Sequence, residues 1–491
     1  MTIVIASLVE GSIAGVTRSS KAAFRQGAEA VEVRLDYFTK LTPRTLPQIR
    51  DACAGPTIAT LRSSAEGGRS KVSAKAREAM LREIVSAGFH GVDLETGRDR
   101  ALLRELGESK ERPLTIASAH FTEPAPESVI ESTLSQACML GDVGKVAMTC
   151  ENAPQAIMLA NIGLKFAARG KRFVIIGMGD QGRLTRVCAS KIGSSMIYAC
   201  VDGKEAAPGQ LDVATQKSMD GRHTVLGLVG HPVSHSVSKQ MQEAALEGLG
   251  IAGAYVPLDF PPGTFDHRAV SALTAIGFHG LNVTIPHKGT AFEIATRKEQ
   301  AASATGAVNT LLFRDSKIIG ENTDVFGFSK LLEGKIHITK QSRVLVVGAG
   351  GASRAVAHVL RKLGAKFEVA DIEPTRATGL AKSFGGRAIP VRNVNNSQEP
   401  YDLVVNCTPI GMKGVPGSSV KGNLFKRGSV LIDVVYNPEV TAAMRLARKR
   451  GARAYGGLDM LVQQGAQSFR LWTGREPDVG AMRTAARRAL R

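Results

Sequence analysis

The sequence predicts an α/β protein made of two regions in series. The first is a (β/α)8 barrel of the TIM type, and the second is an α/β region that ends in a Rossmann-type dinucleotide-binding domain. Three observations carry this. Apolar runs of strand length alternate with helical patterns about eight times before residue 215, the layout of a closed parallel barrel. A polar stretch, Ala214–His223, then breaks the rhythm. Beyond it the buried run Arg343–Val347 leads into Gly348-Ala349-Gly350-Gly351-Ala352-Ser353, a glycine-rich turn that opens a helix.

Composition bounds the answer. The chain has 491 residues, 43% hydrophobic and 22% charged, with 63 Lys+Arg against 44 Asp+Glu and a formal charge of +19. That is globular composition, enough for two or three domains. No run approaches the ~18 apolar residues of a membrane helix. The start, MTIVIASLVEGSIAG, has no basic leader before its apolar stretch, so no secretory signal is expected. The six cysteines (Cys53, Cys138, Cys150, Cys188, Cys200, Cys407) form no C-x-x-C pair. They read as free thiols in a reducing, cytoplasmic setting, with no disulfide frame and no metal site. The positive balance comes without a nucleic-acid motif. It is read as attraction for small anionic substrates or dinucleotide phosphates, and Arg483, Arg487, Arg488 and Arg491 as a solvated helix face.

The expected barrel strands are Thr2–Leu8, Ala30–Leu35, Pro56–Leu61, Gly91–Glu95, Leu114–Ala119, Lys145–Thr149, Phe173–Met178 and Met196–Val201. Polar residues gather where they end: Glu32, Arg34, Arg62, Glu95, His120, Lys145, then Arg186 and Gln210. Barrel active sites sit at the carboxyl ends of the strands, so one mouth collects these groups. Most lysines at strand ends are ordinary exposed cations. Lys145 differs in having apolar neighbours, which would desolvate its amine as imine chemistry requires. His120, ending the preceding strand, supplies the proton acceptor that would accompany it, although a lone histidine is as often a satisfied core residue.

In the second region a new strand, Thr224–Val229, follows the break. Strands Phe367–Asp371, Leu403–Asn406 and Val430–Val434 follow the glycine-rich turn, and Asp371 stands about 20 residues beyond it, where a dinucleotide fold places its ribose-binding acid. Upstream, Asn282–Lys288, Ala307–Thr310 and Glu321–Asp324 are rich in turn-forming residues. They are either plain turns or a Lys288–Asp324 acid/base pair beside a polar pocket.

The first region resembles the type I 3-dehydroquinate dehydratases. The matching segments are Glu32-Val33-Arg34-Leu35-Asp36, Arg62 through Glu66-Gly67-Gly68, Ser118-Ala119-His120-Phe121, Lys145-Val146-Ala147-Met148, Gly177-Met178-Gly179 through Arg186, and Ala207-Pro208-Gly209-Gln210, all in order. The resemblance implies that Lys145 forms an imine with the C3 ketone of 3-dehydroquinate and that His120 moves the C2 proton. It also implies that Arg186 clamps the carboxylate, while Glu32, Arg34, Arg62, Glu66 and Gln210 bind ring hydroxyls and hold the lysine's surroundings. Ala206 stands where that family usually has serine, removing one hydroxyl contact.

The second region resembles the shikimate dehydrogenases. The matches are Gly230 through Ser238, Asn282 through Lys288, Ala307-Val308-Asn309-Thr310, Asn322-Thr323-Asp324, Gly348 through Ser353, Asn406 through Met412, Asp433 through Pro438, and Gly457 through Gln464. This implies that Ser236 and Ser238 bind the shikimate carboxylate and that Thr284, Asn309, Asp324 and Gln464 bind ring hydroxyls. Lys288 with Asp324 would pass the proton. Gly348, Gly350, Gly351 and Ala352 would hold the pyrophosphate, and Tyr436, Gly457 and Met460 would lie near the nicotinamide and ring. Lys239 replaces the usual proline, and Gln242-Glu243 an often-found His-Asn. Asp371-Ile372 stands where NADP-using members have Asn-Arg, so family habit gives NADP while local chemistry gives NAD or both, with Arg376 near enough to reach a phosphate.

The expected product is therefore a bifunctional enzyme of aromatic amino-acid precursor synthesis. Its expected domains are a barrel over 1–215, a linker over 216–223, a substrate domain over 224–335 completed by 463–491, and a Rossmann domain over 336–462. Its partners would be small molecules, with neither nucleic acid nor membrane, and its oligomeric state is open. Two alternatives stand beside it. One is a catabolic, quinate-directed enzyme. The other is a non-catalytic metabolite sensor, whose mark would be loss of Lys145, His120, Lys288 or Asp324.

Overall fold

The computed structural model describes residues 2–219 and 221–491. Asp220, inside the expected linker, and Met1 lie outside the described residues. The chain forms two compact units, Met1–Val225 with Ala252–Phe278, and Leu226–Ile251 with His279–Arg491.

In the first unit, strands β1 (Ile3–Leu8), β2 (Ala30–Arg34), β3 (Thr57–Thr60), β4 (Gly91–Glu95), β5 (Leu114–Phe121), β6 (Val143–Thr149), β7 (Phe173–Met178) and β8 (Met196–Ala199) run in the order β7-β6-β5-β4-β3-β2-β1-β8. Neighbours pair in parallel. The seam beside β7 is closed by Ser195, whose N–H donates to Phe173 O at 2.7 Å just ahead of β8. β2, β3, β4 and β8 are buried at every position, as expected of a parallel sheet covered by helices on one face and packed on itself on the other. Local signals start the helices. Ser12 caps Ile13–Arg25 by accepting from Gly15 N, and Asn152 caps Ala153–Ala168 by accepting from Gln155 N.

Two strands run longer than the sequence suggests. β6 begins at Val143, so Lys145 sits within the strand, paired with Ser118 and Val174, rather than at its start. Gly144 makes this register possible, because a Cβ there would lie 2.5 Å from Cys138 N of helix Glu127–Leu140. β5 likewise continues through His120, opposite Ala147.

This unit also holds β10 (Gly253–Asp259) and helix His267–Ala275; β9 (Thr224–Gly230) begins at its edge. In the second unit, β9, β11 (Phe278–Val283), β12 (Arg297–Lys298), β13 (Thr310–Arg314) and β14 (Lys317–Glu321) follow the order β9-β11-β13-β14-β12. The β13–β14 hairpin turns through Asp315 and Ser316, both at positive φ (49° and 60°), the twist a two-residue hairpin loop demands.

A second sheet contains β15 (Val344–Val347), β16 (Phe367–Ala370), β17 (Arg387–Ala388), β18 (Leu403–Asn406), β19 (Val430–Asp433) and β20 (Arg453–Gly456). Its order, β17-β16-β15-β18-β19-β20, is the doubly wound pattern whose switch point lies between β15 and β18. Helices Leu458–Thr473 and Val479–Ala489 close the chain against Ser238–Gly248 through Val237, Met241, Leu246, Val462, Phe469 and Met482. Among the described residues, no helix is long and apolar enough to cross a membrane, and no group of three His, Cys, Asp or Glu could hold a metal ion.

Candidate active sites

A cavity of about 240 Å³ opens at the carboxyl ends of the barrel strands. Glu32, Arg34, Arg62, Glu66, His120, Lys145, Arg186 and Gln210 all line it, with Tyr198 and Ala206. Lys145 is buried. Its Nζ lies 3.0 Å from Asp93 Oδ2, 3.9 Å from Glu32 Oε1 and 3.9 Å from the centre of the Tyr198 ring. Buried charge survives only when paired, and Asp93 supplies the pairing. Arg62 Nη2 approaches it at 2.5 Å and Ser118 Oγ donates to it at 2.6 Å. Against the upward push of burial, the charges of Arg62 and Lys145 hold Asp93 well below the usual carboxylate range.

His120 Nδ1 lies 3.0 Å from Glu66 Oε2. Burial, then the charges of Arg62 and Lys145, push the imidazole well below its ordinary value, so it is neutral at pH 7. Burial pushes Glu66 up to about 7, although Arg62 lies 3.2 Å from it. Near pH 7 the histidine is therefore neutral while the proton of the pair, where one is held, sits on Glu66.

Arg186 is almost fully buried; it donates through Nη1 to Tyr198 O at 3.1 Å, and its Nε finds no partner. Burial lowers it to about 10, a strain that an anion in the pocket would relieve. Arg34 is less available. Its fork is closed on Asp36 by bonds of 2.9 and 2.8 Å. Glu32 accepts from Ser7 and Thr60 hydroxyls, and Gln210 ties the covering loop down by accepting from Ala206 N and donating to Ser7 Oγ. Gly209, at φ +83°, lies so close to Gly179 O that a Cβ would sit 2.7 Å from it. Glu95 is not in this pocket; it accepts from Ser63 and steadies the loop after β3.

Sequence reasoning passed over Asp93 and Tyr198. Asp93 had a signal. In Gly91–Glu95 the polar residues alternate with apolar ones, and Asp93 and Glu95 point to the same side of the strand pattern. Tyr198 sits in an apolar run and had none.

In the second unit Lys288 Nζ meets Asp324 Oδ2 at 2.5 Å. Each residue opens a helix, Lys288–Ile294 and Asp324–Leu332. Asn309 Nδ2 donates to Asp324 Oδ1 at 2.9 Å and reaches Gln464 Oε1 at 3.3 Å, so four of the expected residues form one connected chain. Thr323, part of the matched Asn322-Thr323-Asp324 segment but given no role from sequence, and Ser468, not named from sequence, complete it. Ser236 and Ser238 pair with each other at 3.0 Å, at the start of Ser238–Gly248. Thr284 follows β11 and bonds Val229 O through its backbone. Tyr436 packs on the cluster that joins this helix to Leu458–Thr473. Gly457 has no room for a side chain, since a Cβ would fall 2.0 Å from Val434 O. Met460 packs into the core with Phe328 and Val346.

The glycine-rich turn follows β15 at the switch point. Gly348, at φ +95°, lies against Thr408 and Cys407, and a Cβ at Gly350 would meet nothing within 4 Å. Gly350 caps helix Gly351–Lys362 without a side-chain bond, leaving the first N–H groups, including those of Gly351 and Ala352, for an anion. These features fit a dinucleotide pyrophosphate. The same helix start abuts the acid/base pair, because a Cβ at Gly351 would lie 3.3 Å from Lys288 Cδ. Asp371, just after β16, accepts from Ala349 N at 2.7 Å and from Glu373 N at 2.8 Å. Arg376, exposed, is paired with Glu373 at 2.6 Å.

Comparison with known proteins finds four family matches along the chain. Residues 4–219 match the type I 3-dehydroquinase family, and 228–311 the shikimate dehydrogenase substrate binding domain. Residues 321–438 match the alanine dehydrogenase/PNT C-terminal domain, and 457–487 the shikimate 5'-dehydrogenase C-terminal domain. The shikimate dehydrogenase (NADP(+)) of Rubrobacter xylanophilus is 41% identical, over 54% of this chain and 96% of its own. The chloroplastic bifunctional 3-dehydroquinate dehydratase/shikimate dehydrogenase of Arabidopsis thaliana is 28% identical, over 96% of this chain and 82% of its own. A crystal structure of the Thermus thermophilus shikimate 5-dehydrogenase with NADP(H) and shikimate shares 38% identity, covering 54% of this chain and 99% of that one, with a TM-score of 0.50.

Proposed function

The chain belongs to the shikimate dehydrogenase family, with a type I 3-dehydroquinase domain ahead of it, and from that premise we propose how its two sites work. It is a bifunctional shikimate-pathway enzyme, a lyase and an oxidoreductase on one chain. The barrel converts 3-dehydroquinate to 3-dehydroshikimate, and the second unit reduces that product to shikimate.

In the barrel, Lys145 attacks the C3 ketone, and water leaves to give an imine. The protonated imine withdraws electrons and acidifies C2. His120, neutral at pH 7, takes the C2 proton and returns one to the departing C1 hydroxyl, which leaves as water. Hydrolysis of the imine frees the enone and restores the amine. Asp93 and the Tyr198 ring keep the amine in place, Glu66 orients His120, and Arg186 takes the substrate carboxylate with a fork that lysine could not reproduce. Glu32, Arg62 and Gln210 bind ring hydroxyls. The observation that carries this reading is the buried Lys145 amine in a cavity that also holds a neutral histidine and an underbonded arginine.

In the second unit, a nicotinamide dinucleotide supplies the hydride when bound, and the Rubrobacter and Thermus relatives are named with NADP. Gly348, Gly350, Gly351 and Ala352 hold its pyrophosphate; Gly457 and Met460 shape the wall beside it. Lys288, polarised by Asp324, gives the proton to the nascent C3 alkoxide. Asn309, Gln464 and Thr284 orient ring hydroxyls, and Ser236 and Ser238, with Tyr436 nearby, take the carboxylate. The positive charge serves these anionic substrates rather than a nucleic acid. The free thiols suit the cytoplasm.

The deciding experiment is borohydride reduction of the full chain with 3-dehydroquinate, followed by peptide mass mapping. The expected result is a substrate adduct on Lys145. Dehydratase activity in Lys145→Ala, or an adduct on another lysine, would falsify the barrel mechanism. Oxidation of reduced nicotinamide by the full chain given only 3-dehydroquinate tests both sites in sequence.

A further inference from the structure

We infer that the reductase site selects NAD(H) over NADP(H), in contrast to the Rubrobacter and Thermus relatives named above, and that Asp371 is the specificity-determining residue. This rests on the reductase reading of the second unit. The two dinucleotides differ only at the adenosine ribose, which carries a 2′-hydroxyl in one and a 2′-phosphate in the other. In a doubly wound sheet, the acid about 20 residues beyond the glycine-rich turn takes the 2′-hydroxyl, whereas a 2′-phosphate requires an arginine in reach.

Here the acid is held in place. Asp371 Oδ2 accepts from Ala349 N inside the turn, and Oδ1 accepts from Glu373 N. A carboxylate is acceptor-only, with about four lone-pair sites, so each oxygen can still take a hydroxyl proton. A phosphate monoester has no proton to give near neutrality and carries about −1.5 to −2 charge.

The residues that follow Asp371, Ile372 to Thr375, bring no cation. Ile372, next in sequence, is 89% exposed and uncharged, and Glu373 brings a second carboxylate. Arg376 is already engaged by Glu373 through its Nε at 2.6 Å. Arg354, in the helix after the turn, is turned the other way, donating to Thr305 O. A 2′-phosphate would therefore face two carboxylates and one arginine that must first give up its partner. Like charges brought this close weaken binding by roughly tenfold or more.

Calorimetric titration of the full chain with NADH and with NADPH tests this without relying on turnover. Parallel titrations with 5′-AMP and 2′,5′-ADP isolate the ribose contribution. The expected result is NADH at least about tenfold tighter than NADPH, with 5′-AMP ahead of 2′,5′-ADP in the same sense. Asp371→Asn keeps an acceptor for Ala349 N while removing the charge, and should narrow the NADH/NADPH ratio by about tenfold. Tighter NADPH binding by the wild type overturns the inference and leaves the reductase reading standing. So does an unchanged ratio in D371N, or a selective loss of NADPH affinity in Arg376→Ala. Binding of neither dinucleotide overturns the reductase reading itself.

Discussion

The barrel site and the reductase site solve the problem of reactive charge in opposite ways. In the barrel, Lys145, Asp93, Arg62 and Glu32 are all buried, and each charge is answered by another within one small cavity. In the second unit Asp324 is buried but its partner Lys288 is only half-buried, and the groups proposed to hold the dinucleotide are mostly backbone N–H groups at a helix start. The covalent chemistry proposed for the barrel accounts for the first arrangement. In that proposal the lysine is itself the reagent, and its surroundings must be organised before substrate arrives. Hydride chemistry explains the second, since the dinucleotide brings the reagent and the protein chiefly positions it.

The largest effect that can separate the two sites is Lys145→Met. It should cut dehydratase turnover by more than about 10⁴-fold, beyond what loss of acid–base assistance alone removes, while reduction of added 3-dehydroshikimate stays within about twofold. Equal loss of both activities would mean that the barrel and the reductase fail together, and the contrast between them would collapse. The reciprocal variant, Asp324→Asn, should lower reductase kcat by about 10²–10⁴-fold with the dehydratase untouched. Separate assays with 3-dehydroquinate and 3-dehydroshikimate read both variants.

The two sites also differ in how far sequence alone reveals them. The eight barrel strands stand out because each is a mainly apolar, largely buried run, and the Lys145–His120 pairing follows from adjacent strands ending at one mouth. Asp93 is hidden because a lone carboxylate in a strand pattern looks like any other, and only the register that sets it under Lys145 gives it meaning. In the second unit the individual segments are legible but their meeting is not. Lys288, Asn309, Asp324 and Gln464 are brought together by tertiary packing, a hairpin separating Asn309 from Asp324 and 155 positions separating Asn309 from Gln464. The contact between Gly351 and Lys288 lies deeper still, because nothing local relates a nucleotide turn to a lysine that opens a helix about 60 residues earlier.

A subtler difference is protonic. Glu66 is raised to about 7, above its unfolded value, so the stability it contributes is present in full below about pH 4.5 and is lost as pH rises through 7. Burying an uncharged acid is easy; burying its anion next to Glu95 and Asp93 is not. Glu66→Gln has no such proton to lose. Its stability relative to wild type should therefore rise between pH 4.5 and 7.5, by about 1–3 kcal/mol, measured by urea unfolding of the full chain at each pH. A difference that is flat across this window would mean that Glu66 is ionised throughout and that Arg62, at 3.2 Å, governs it instead.

The smallest effect probes the contact that joins cofactor turn to acid/base pair. Gly351 has two possible reasons to be glycine: to let a pyrophosphate approach, or to leave room for the stem of Lys288, which lies 3.3 Å from where a Cβ would stand. A methyl group there does not collide with backbone. It pushes a flexible side chain by a few tenths of an ångström, so the cost falls below the ~1–3 kcal/mol of overpacking a rigid core. If the lysine stem is what needs the space, Gly351→Ala should lower reductase kcat by roughly three- to tenfold and leave dinucleotide affinity nearly unchanged, since a displaced amine loses alignment with its substrate before anything else changes. If the pyrophosphate needs it, the affinity falls and kcat at saturation holds. The first outcome would make this turn a support for the catalytic lysine as well as a cradle for phosphate.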